Sequence, residues 1–144
     1  MNILEKFLEI AKGEMGVHRE PDHHSKRIIE YDATTTLKAT NDMVPWCSSF
    51  VNWVVTQAGE EGTNSAAARS WLDWGKKLSY PEPGCIVVLK RGKDATLGHV
   101  GFYIEAHSPY FTVLGGNQNN MVCDSTFIIG AVLGYRVPLS YEKE

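Results

Sequence analysis

The stretch Val44-Pro45-Trp46-Cys47-Ser48-Ser49-Phe50-Val51-Asn52-Trp53 sets one cysteine at a turn that opens an apolar helix. Gly59 supplies the C-terminal stop of that helix. The apolar stripe comprises Phe50, Val51, Val54, Val55 and Ala58. A cysteine at a helix N-terminus lies near free backbone N–H groups and the positive end of the helix dipole, which lower the thiol pKa from its free value of about 8.5. The pattern therefore predicts a buried helix with a reactive thiol at its head.

The composition is that of a globular protein. The 144 residues are 43% apolar and 22% charged, with a net charge of -3, so we expect a single domain over residues 1–144. Because Lys and Arg are scattered and outnumbered by acids, nucleic acid is not an expected partner. Cys47, Cys85 and Cys123 are far apart without a C-x-x-C pair, which argues against a disulfide framework or a zinc knuckle.

The first residues do not resemble a signal peptide. Glu5, Lys6, Glu9 and Lys12 interrupt any apolar run there, and no later segment approaches the length of a membrane span. We therefore expect the protein to be made in the cytoplasm and to have no stable membrane association. We also expect it to be a monomer.

Helices are predicted first along the chain. Asn2 and Glu5 fit an N-cap and its reciprocal acid, so a helix is expected over residues 3–16. Residues 17–41 are predicted to form an irregular segment with a short helix or turn near residues 28–31. The spacing of Ala67, Trp71, Trp74 and Leu78 predicts another helix over residues 66–78. Its tryptophans belong either to the core or to the edge of a substrate groove.

Strands follow the helices. Turn signals separate short apolar runs at residues 85–89, 99–105, 110–114 and 128–137. Helices followed by strands are typical of an α+β fold with an antiparallel sheet.

The irregular segment carries His18, Asp22, His23 and His24, which raise a metal-site hypothesis. The alternative is a solvated polar loop, which we favour because no second group of ligands stands at a recognised spacing. We predict no metal and no cofactor.

A nucleophilic thiol needs a base, and the base needs an orienting group. His99 is the one histidine in a strand-like context, where Gly98 and Gly101 allow close approach of another group. Taken alone, a histidine at the start of a strand is by default structural or simply exposed, and it is the glycine flanks together with the cysteine at the helix head that favour a catalytic role. Glu105 lies on the same face of the strand as His99, but six residues at roughly 3.3 Å each place it about 20 Å from the imidazole. Glu105 therefore cannot be the orienting group.

Pairing residue 105 with residue 110 in a hairpin places residue 116 opposite His99, so Asn117 lies within one residue of the base and Gln118 is next to it. An amide oxygen that accepts the imidazole N–H would fix the ring, as in Cys-His-Asn sites. The alternative for Asn117 is a left-handed turn residue after two glycines.

The N–H of Cys47 is the natural donor to an oxyanion. Tyr31 is a candidate for a second donor, although a structural hydroxyl is an equal alternative. Trp46, Trp71 and Gln118 are further candidates to line the substrate groove.

Five ordered blocks between about Tyr31 and Pro138 resemble the small phage and prophage proteins of the CHAP and NlpC-type amidase/peptidase superfamily. The blocks are Asp42-x-x-Pro45-Trp46-Cys47-x-x-Phe50-Val51-Asn52-Trp53, Ala68-Arg69-Ser70-Trp71-Leu72-x-Trp74-Gly75, Pro83-Gly84-x-Ile86-Val87-Val88, Gly98-His99-Val100-Gly101-Phe102-Tyr103 and Leu114-Gly115-Gly116-Asn117-Gln118. The resemblance implies a papain-like fold with N-terminal helices packed on a C-terminal antiparallel sheet.

The resemblance also implies a cysteine-dependent hydrolase of bacterial peptidoglycan, either an N-acetylmuramoyl-L-alanine amidase or an endopeptidase, released as endolysins are by a holin-type or other route. It assigns Cys47 as nucleophile, His99 as base and Asn117 as third residue. Relatives often carry a Glu shortly before that Asn, where this chain has Gly115 and Gly116. Some relatives bind calcium through an acidic cluster, of which only Asp32 and Asp42 stand near the cysteine. The alternatives are a non-catalytic wall-binding module and an intracellular papain-like deamidase or transferase.

Overall fold

The computed structural model describes residues 1–39 and 45–143. Its α-helices are α1 (Ile3–Lys12), α2 (Lys26–Asp32) and α3 (Cys47–Gln57). Short 3₁₀ helices span Ala68–Asp73 and Ile129–Ala131. The strands are β1 (Lys76–Leu78), β2 (Ile86–Lys90), β3 (Gly98–His107), β4 (Tyr110–Gln118), β5 (Met121–Ile128) and β6 (Val132–Val137).

The first two helices begin where local sequence signals place them. The Asn2 side chain accepts the N–H of Glu5 at 2.9 Å, which confirms the predicted N-cap. Helix α1 ends at Lys12, a turn earlier than predicted, and buries Leu4, Phe7 and Ala11. The short helix expected near residues 28–31 is α2, and the Ser25 side chain caps its N-terminus.

Helix α3 begins at Cys47, so the predicted position of this thiol at a helix head is confirmed. Gly59 follows the helix with a φ of 90°, and the N–H of Glu60 donates to Val55 O at 3.1 Å. These features are typical of a glycine C-terminal stop. The helix is therefore a rigid, buried support for its first residue.

The six strands form one antiparallel sheet in the order β1-β6-β2-β3-β4-β5. Helix α3 packs on its centre, where the Phe50 and Phe102 ring centroids are 6.3 Å apart. A side chain at Gly116 would come within 2.7 Å of both Trp46 and Phe50, so this glycine lets the helix head approach β4. Helices on one face of an antiparallel sheet confirm the predicted α+β, papain-like fold.

The predicted helix over residues 66–78 is wrong. The chain forms one short 3₁₀ helix and then reverses at Gly75, whose φ is 61°. A side chain at Gly75 would collide with the main chain of Val137, since Lys76–Leu78 pairs there as strand β1. The helical spacing of the tryptophans predicted the wrong structure because Lys76–Leu78 pairs with Tyr135–Val137 in β6. That partner lies far along the chain and cannot be read from local spacing.

The strand β5 was not predicted, and the final stretch 128–137 is shorter as β6. Asn119 and Asn120 both have positive φ, 52° and 63°, and join β4 to β5. Positive φ at two central residues is the signature of a type I′ hairpin turn, which Asn-Asn can adopt. This dipeptide was the available signal for an additional strand.

One hydrophobic cluster runs through the described residues from Leu4 to Tyr141 and lies between the helices and the sheet. Its aromatic contacts join the layers, as where Phe7 and Phe102 lie 5.7 Å apart. Within residues 1–39 and 45–143, no helix combines the length and apolar character needed to cross a membrane.

Candidate active site

Cys47 and His99 meet where the head of α3 approaches the start of β3. Their side chains form a hydrogen bond, and the Cys47 sulfur is also within reach of the N–H groups of Val100 and Ser48. Only 7% of Cys47 is exposed. The two residues that the sequence nominated as nucleophile and base are therefore neighbours.

The pKa of Cys47 lies below its ordinary value. Burial acts against this by raising the pKa, but the hydrogen bond and charge of His99, together with the Val100 and Ser48 N–H groups, more than offset it. The helix N-terminus alone was the basis of the prediction. In the structure it acts with an imidazole and a strand amide.

The pKa of His99 is shifted in the opposite direction. Burial lowers it and the charge of Arg91 lowers it further, yet the hydrogen bond and charge of Cys47 and the hydrogen bond to Gln118 raise it overall. A lowered thiol pKa beside a raised imidazole pKa favours the thiolate–imidazolium pair, which is the nucleophilic form of a cysteine site.

Gln118 orients His99. Its Nε2 donates to two carbonyl groups, Val113 O at 3.2 Å and Cys123 O at 2.6 Å, so its Oε1 must face the ring. His99 Nε2 lies 2.8 Å from that Oε1 and therefore donates to it. This contact fixes the tautomer and leaves Nδ1 for the thiol.

Asn117 does not orient the ring, so its predicted position in the triad is wrong. It has a φ of 58° in the irregular segment where the pairing of β4 and β5 shifts between Gly115 and Gln118. The extra residue turns Gln118 toward His99. The left-handed conformation, which was the alternative for Asn117, is what the structure shows.

Gly115 makes room for this arrangement. A side chain there would lie 2.6 Å from Gln118 Oε1 and 3.5 Å from His99 Nε2. Relatives often carry an acidic residue shortly before the Asn, where this chain has Gly115. A side chain at that position would collide with the Gln118 amide, which occupies the space.

An open cleft of about 380 Å³ leads to Cys47 and His99. Phe127 forms part of its wall and stacks on the His99 ring, with centroids 5.3 Å apart and an angle of 26° between the planes. The cleft is lined by Cys47, Leu89, Lys90, Arg91, His99, Asn117, Gln118, Asn119, Ser125, Thr126 and Phe127. Asn117 is thus a wall residue of the cleft.

Tyr31, Trp46 and Trp71 do not line this cleft, contrary to the prediction. All three are 0% exposed. The Tyr31 hydroxyl donates to Glu14 at 2.8 Å, and burial with this contact raises its pKa. A hydroxyl held by Glu14 is structural and is not a second oxyanion donor.

Both tryptophans serve the core around the helix head. Trp46 packs on Tyr31 with centroids 6.0 Å apart. Trp71 Nε1 donates to Ser48 Oγ at 2.9 Å, immediately after Cys47. The groove position predicted for both rings is therefore wrong, and the core, which was the alternative for Trp71, is what the structure shows.

A buried polar network that the sequence did not reveal holds α3 in position. Asn52 Oδ1 accepts the N–H of Asn64 at 2.9 Å, and Asn52 Nδ2 donates to Ser65 O at 3.2 Å. Ser48 Oγ donates to Ser65 O at 2.7 Å. These bonds tie the loop after α3 to the helix beside Cys47, and a buried network with satisfied partners favours one orientation.

The histidines of the irregular segment do not line the cleft, and His18 and His24 lie beside a separate shallow depression of about 740 Å³. His18 Nδ1 contacts Gly16 O at 3.0 Å and His24 Nδ1 contacts Asp22 O at 2.6 Å, so both rings are engaged by their own loop. Over residues 1–39 and 45–143, no group of three or more His, Cys, Asp or Glu is placed to hold a metal ion. Asp42 lies outside the described residues.

The fold and the Cys-His-Gln constellation define a papain-like domain. The CHAP domain model matches residues 39–117, which is more than half of the chain. The chain therefore belongs to the CHAP family. No curated protein sequence matches it significantly.

Solved structures share the fold at low sequence identity. The endolysin LysIME-EF1 is 16% identical with a TM-score of 0.62, over 96% of this chain and 65% of that one. The P60 domain of an antigen from M. avium subspecies paratuberculosis is 12% identical with a TM-score of 0.57, over 97% of this chain and 96% of the domain.

A protein described as similar to lipoprotein, of the NLP/P60 family, from Staphylococcus aureus is 16% identical with a TM-score of 0.54. The match covers 94% of this chain and 41% of the staphylococcal protein. This chain thus spans less than half the length of that relative.

Proposed function

We propose that this protein is a peptidoglycan hydrolase that cleaves an amide bond with Cys47 as nucleophile and His99 as acid and base. The observation that carries the proposal is the hydrogen-bonded series Cys47, His99 and Gln118 at the floor of an open cleft. An inert buried thiol would need neither a lowered pKa nor an oriented imidazole.

The first half-reaction is acylation. The Cys47 thiolate attacks the amide carbonyl carbon, and the oxygen that becomes negative lies near the helix N-terminus, where the N–H of Cys47 is a donor. The C–N bond then breaks as the His99 imidazolium gives its proton to the leaving amine. The products are the free amine and a thioester on Cys47.

Deacylation reverses the role of His99. The neutral imidazole takes a proton from water, whose oxygen attacks the thioester carbon, and the C–S bond breaks to release a carboxylic acid and the thiolate. The acid then ionises by giving its remaining proton to the solvent. Gln118 holds the imidazole ring through both steps, because its own amide is fixed by Val113 O and Cys123 O.

Family membership and one neighbour support peptidoglycan as the substrate. The chain belongs to the CHAP family, and a protein named an endolysin has the same fold. We infer that the protein acts at the cell wall and cleaves either the bond between the sugar lactoyl group and alanine or a bond within the peptides.

Purified peptidoglycan provides the test. Wild-type protein should lower the turbidity of a wall suspension, and Cys47→Ala should abolish this while circular dichroism remains unchanged. Mass spectrometry of the released fragments then identifies the bond. Equal activity of both proteins would refute the nucleophile.

Two other results would redirect the assignment. Sedimentation of the wild-type protein with the wall, without loss of turbidity, would indicate a binding module. Release of ammonia from glutamine-containing peptides, without wall solubilisation, would indicate a deamidase.

A further inference from the structure

The cleft has two chemically different walls. On one side, strands β4 and β5 and their turn present neutral polar side chains, which are Asn117, Asn119, Ser125 and Thr126. On the other side, the end of β2 and the following loop present the cations Lys90 and Arg91. No acidic residue is among the described residues that line the cleft. A cleft of this kind favours a substrate with a negative group on the β2 side.

This local charge contrasts with that of the whole chain, whose net charge is -3. The charge of Arg91 reaches the reacting groups, since it acts on His99. Arg91 is exposed, and among residues 1–39 and 45–143 no carboxylate forms an ion pair with it.

The loop that carries Arg91 is held at both ends. Lys90 pairs with Gly98 at the last register position of β2 and β3. The Arg69 side chain donates to Leu97 O at 2.6 Å and to Asp94 O at 3.4 Å. Such anchoring reduces the entropy lost when Arg91 binds a ligand.

Asp94, a carboxylate in the same loop as Arg91, forms hydrogen bonds within its own turn. Asp94 Oδ1 accepts from the N–H of Thr96 at 2.8 Å and from the Thr96 hydroxyl at 2.6 Å. Asp94 is therefore engaged by Thr96, and in the part of the chain that the structure describes no ion pair joins it to Arg91. The guanidinium remains available to a ligand.

We propose that Arg91, assisted by Lys90, binds a free carboxylate of the substrate close to the scissile amide, so that the enzyme prefers peptides with free carboxyl groups to amidated ones. A guanidinium binds a carboxylate through two parallel N–H···O bonds, which fixes the position of the carboxylate as well as its charge. The inference rests on the proposed function and adds a specificity to it.

Chemical amidation of the wall provides the test. One peptidoglycan sample is treated with carbodiimide and ammonium chloride, which converts carboxylates to carboxamides, and the other is mock-treated. Initial rates of solubilisation are compared at subsaturating substrate for wild type, Arg91→Gln, Arg91→Lys and Lys93→Gln. Lys93 is an exposed cation of the same loop outside the cleft, so it is the matched control.

Amidation should reduce the wild-type rate by about three- to fivefold, the size expected for an ion pair with an exposed arginine. Arg91→Gln should lose most of this discrimination, Arg91→Lys should keep part of it, and Lys93→Gln should keep all of it. General charge effects act the other way, because an acidic protein is repelled less by an amidated wall.

Equal wild-type rates on the two walls, or the same discrimination in Arg91→Gln as in wild type, would overturn the carboxylate site and leave the hydrolase assignment intact. Equal rates of wild type and Cys47→Ala on the mock-treated wall would instead refute the proposed function. Circular dichroism of each variant distinguishes these results from misfolding.

Discussion

Two cysteines of this protein are almost equally buried but chemically opposite. Cys47 is 7% exposed and Cys85 is 0% exposed. Burial raises the pKa of Cys85 to about 12, with the charge of Glu82 adding to the effect against one backbone hydrogen bond. The pKa of Cys47 is lowered although burial acts in the same direction there.

The difference lies in what each thiol faces. Cys85 precedes β2 at the end of that strand away from the cleft, where Tyr103 N donates to its carbonyl oxygen. Cys47 faces an imidazole and two N–H groups at the other end of the β2–β3 pair. Reactivity of a buried cysteine thus depends on compensating charge and donors, which burial alone does not supply.

The largest expected difference is in alkylation at neutral pH. A thiol with a pKa of about 12 is roughly one part in 10⁵ thiolate at pH 7, so Cys85 should remain unmodified by iodoacetamide. Cys47 should be modified, with a rate that rises with pH through a pKa below the ordinary thiol value and then stays level. Mass spectrometry of peptides after timed quenching measures each site. Titration of Cys47 at an ordinary thiol pKa would contradict the thiolate argument.

Removing the His99 imidazole should make Cys47 less reactive, as Cys85 is, because burial then raises the thiol pKa with less compensation. His99→Gln should reduce wall hydrolysis by roughly 10²–10⁴-fold, the range for loss of general acid–base catalysis, and should raise the pKa of Cys47. His107→Gln is the matched control, because His107 is an exposed histidine on the same strand that contacts Thr112 Oγ1 at 3.0 Å. Similar losses in both variants would point to a folding defect.

The orienting residue should have a smaller effect. Gln118→Ala frees the His99 ring and should reduce kcat by roughly ten- to a hundredfold, since misplacement of a catalytic group by about 1 Å costs that much. Asn117→Gly keeps the left-handed backbone of its position and should change kcat by less than about threefold. The reverse order of effects would restore Asn117 as the third residue.

The smallest effect on hydrolysis is expected at Cys85. Cys85→Ser buries a hydroxyl group and should lower the free energy of unfolding by about 1–3 kcal/mol, which urea denaturation measures. Cys123→Ser, at a half-buried site where Sγ contacts Gln118 O at 3.3 Å, should cost less. A large loss of kcat in folded Cys85→Ser protein would show that the two ends of β2 are not independent.

Sequence reasoning succeeded where the signal was local. The helix that begins at Cys47 follows from an apolar stripe and a glycine stop, and the N-cap at Asn2 follows from its neighbours. It failed at residues 66–78, where Gly75 and the pairing with β6 override helical spacing. The prediction of the fold class survived this error because, in the described residues, all six strands come after the α-helices.

The candidate site shows the same division. By itself the sequence determined the thiol at the head of α3, the histidine at the start of a glycine-flanked strand and the α+β order, because dipoles, caps and periodicity act over a few residues. Only the tertiary structure decided that Gln118 and not Asn117 holds His99. That choice depends on a bulge between β4 and β5, and one extra residue in a strand exchanges the side chain that points at the ring.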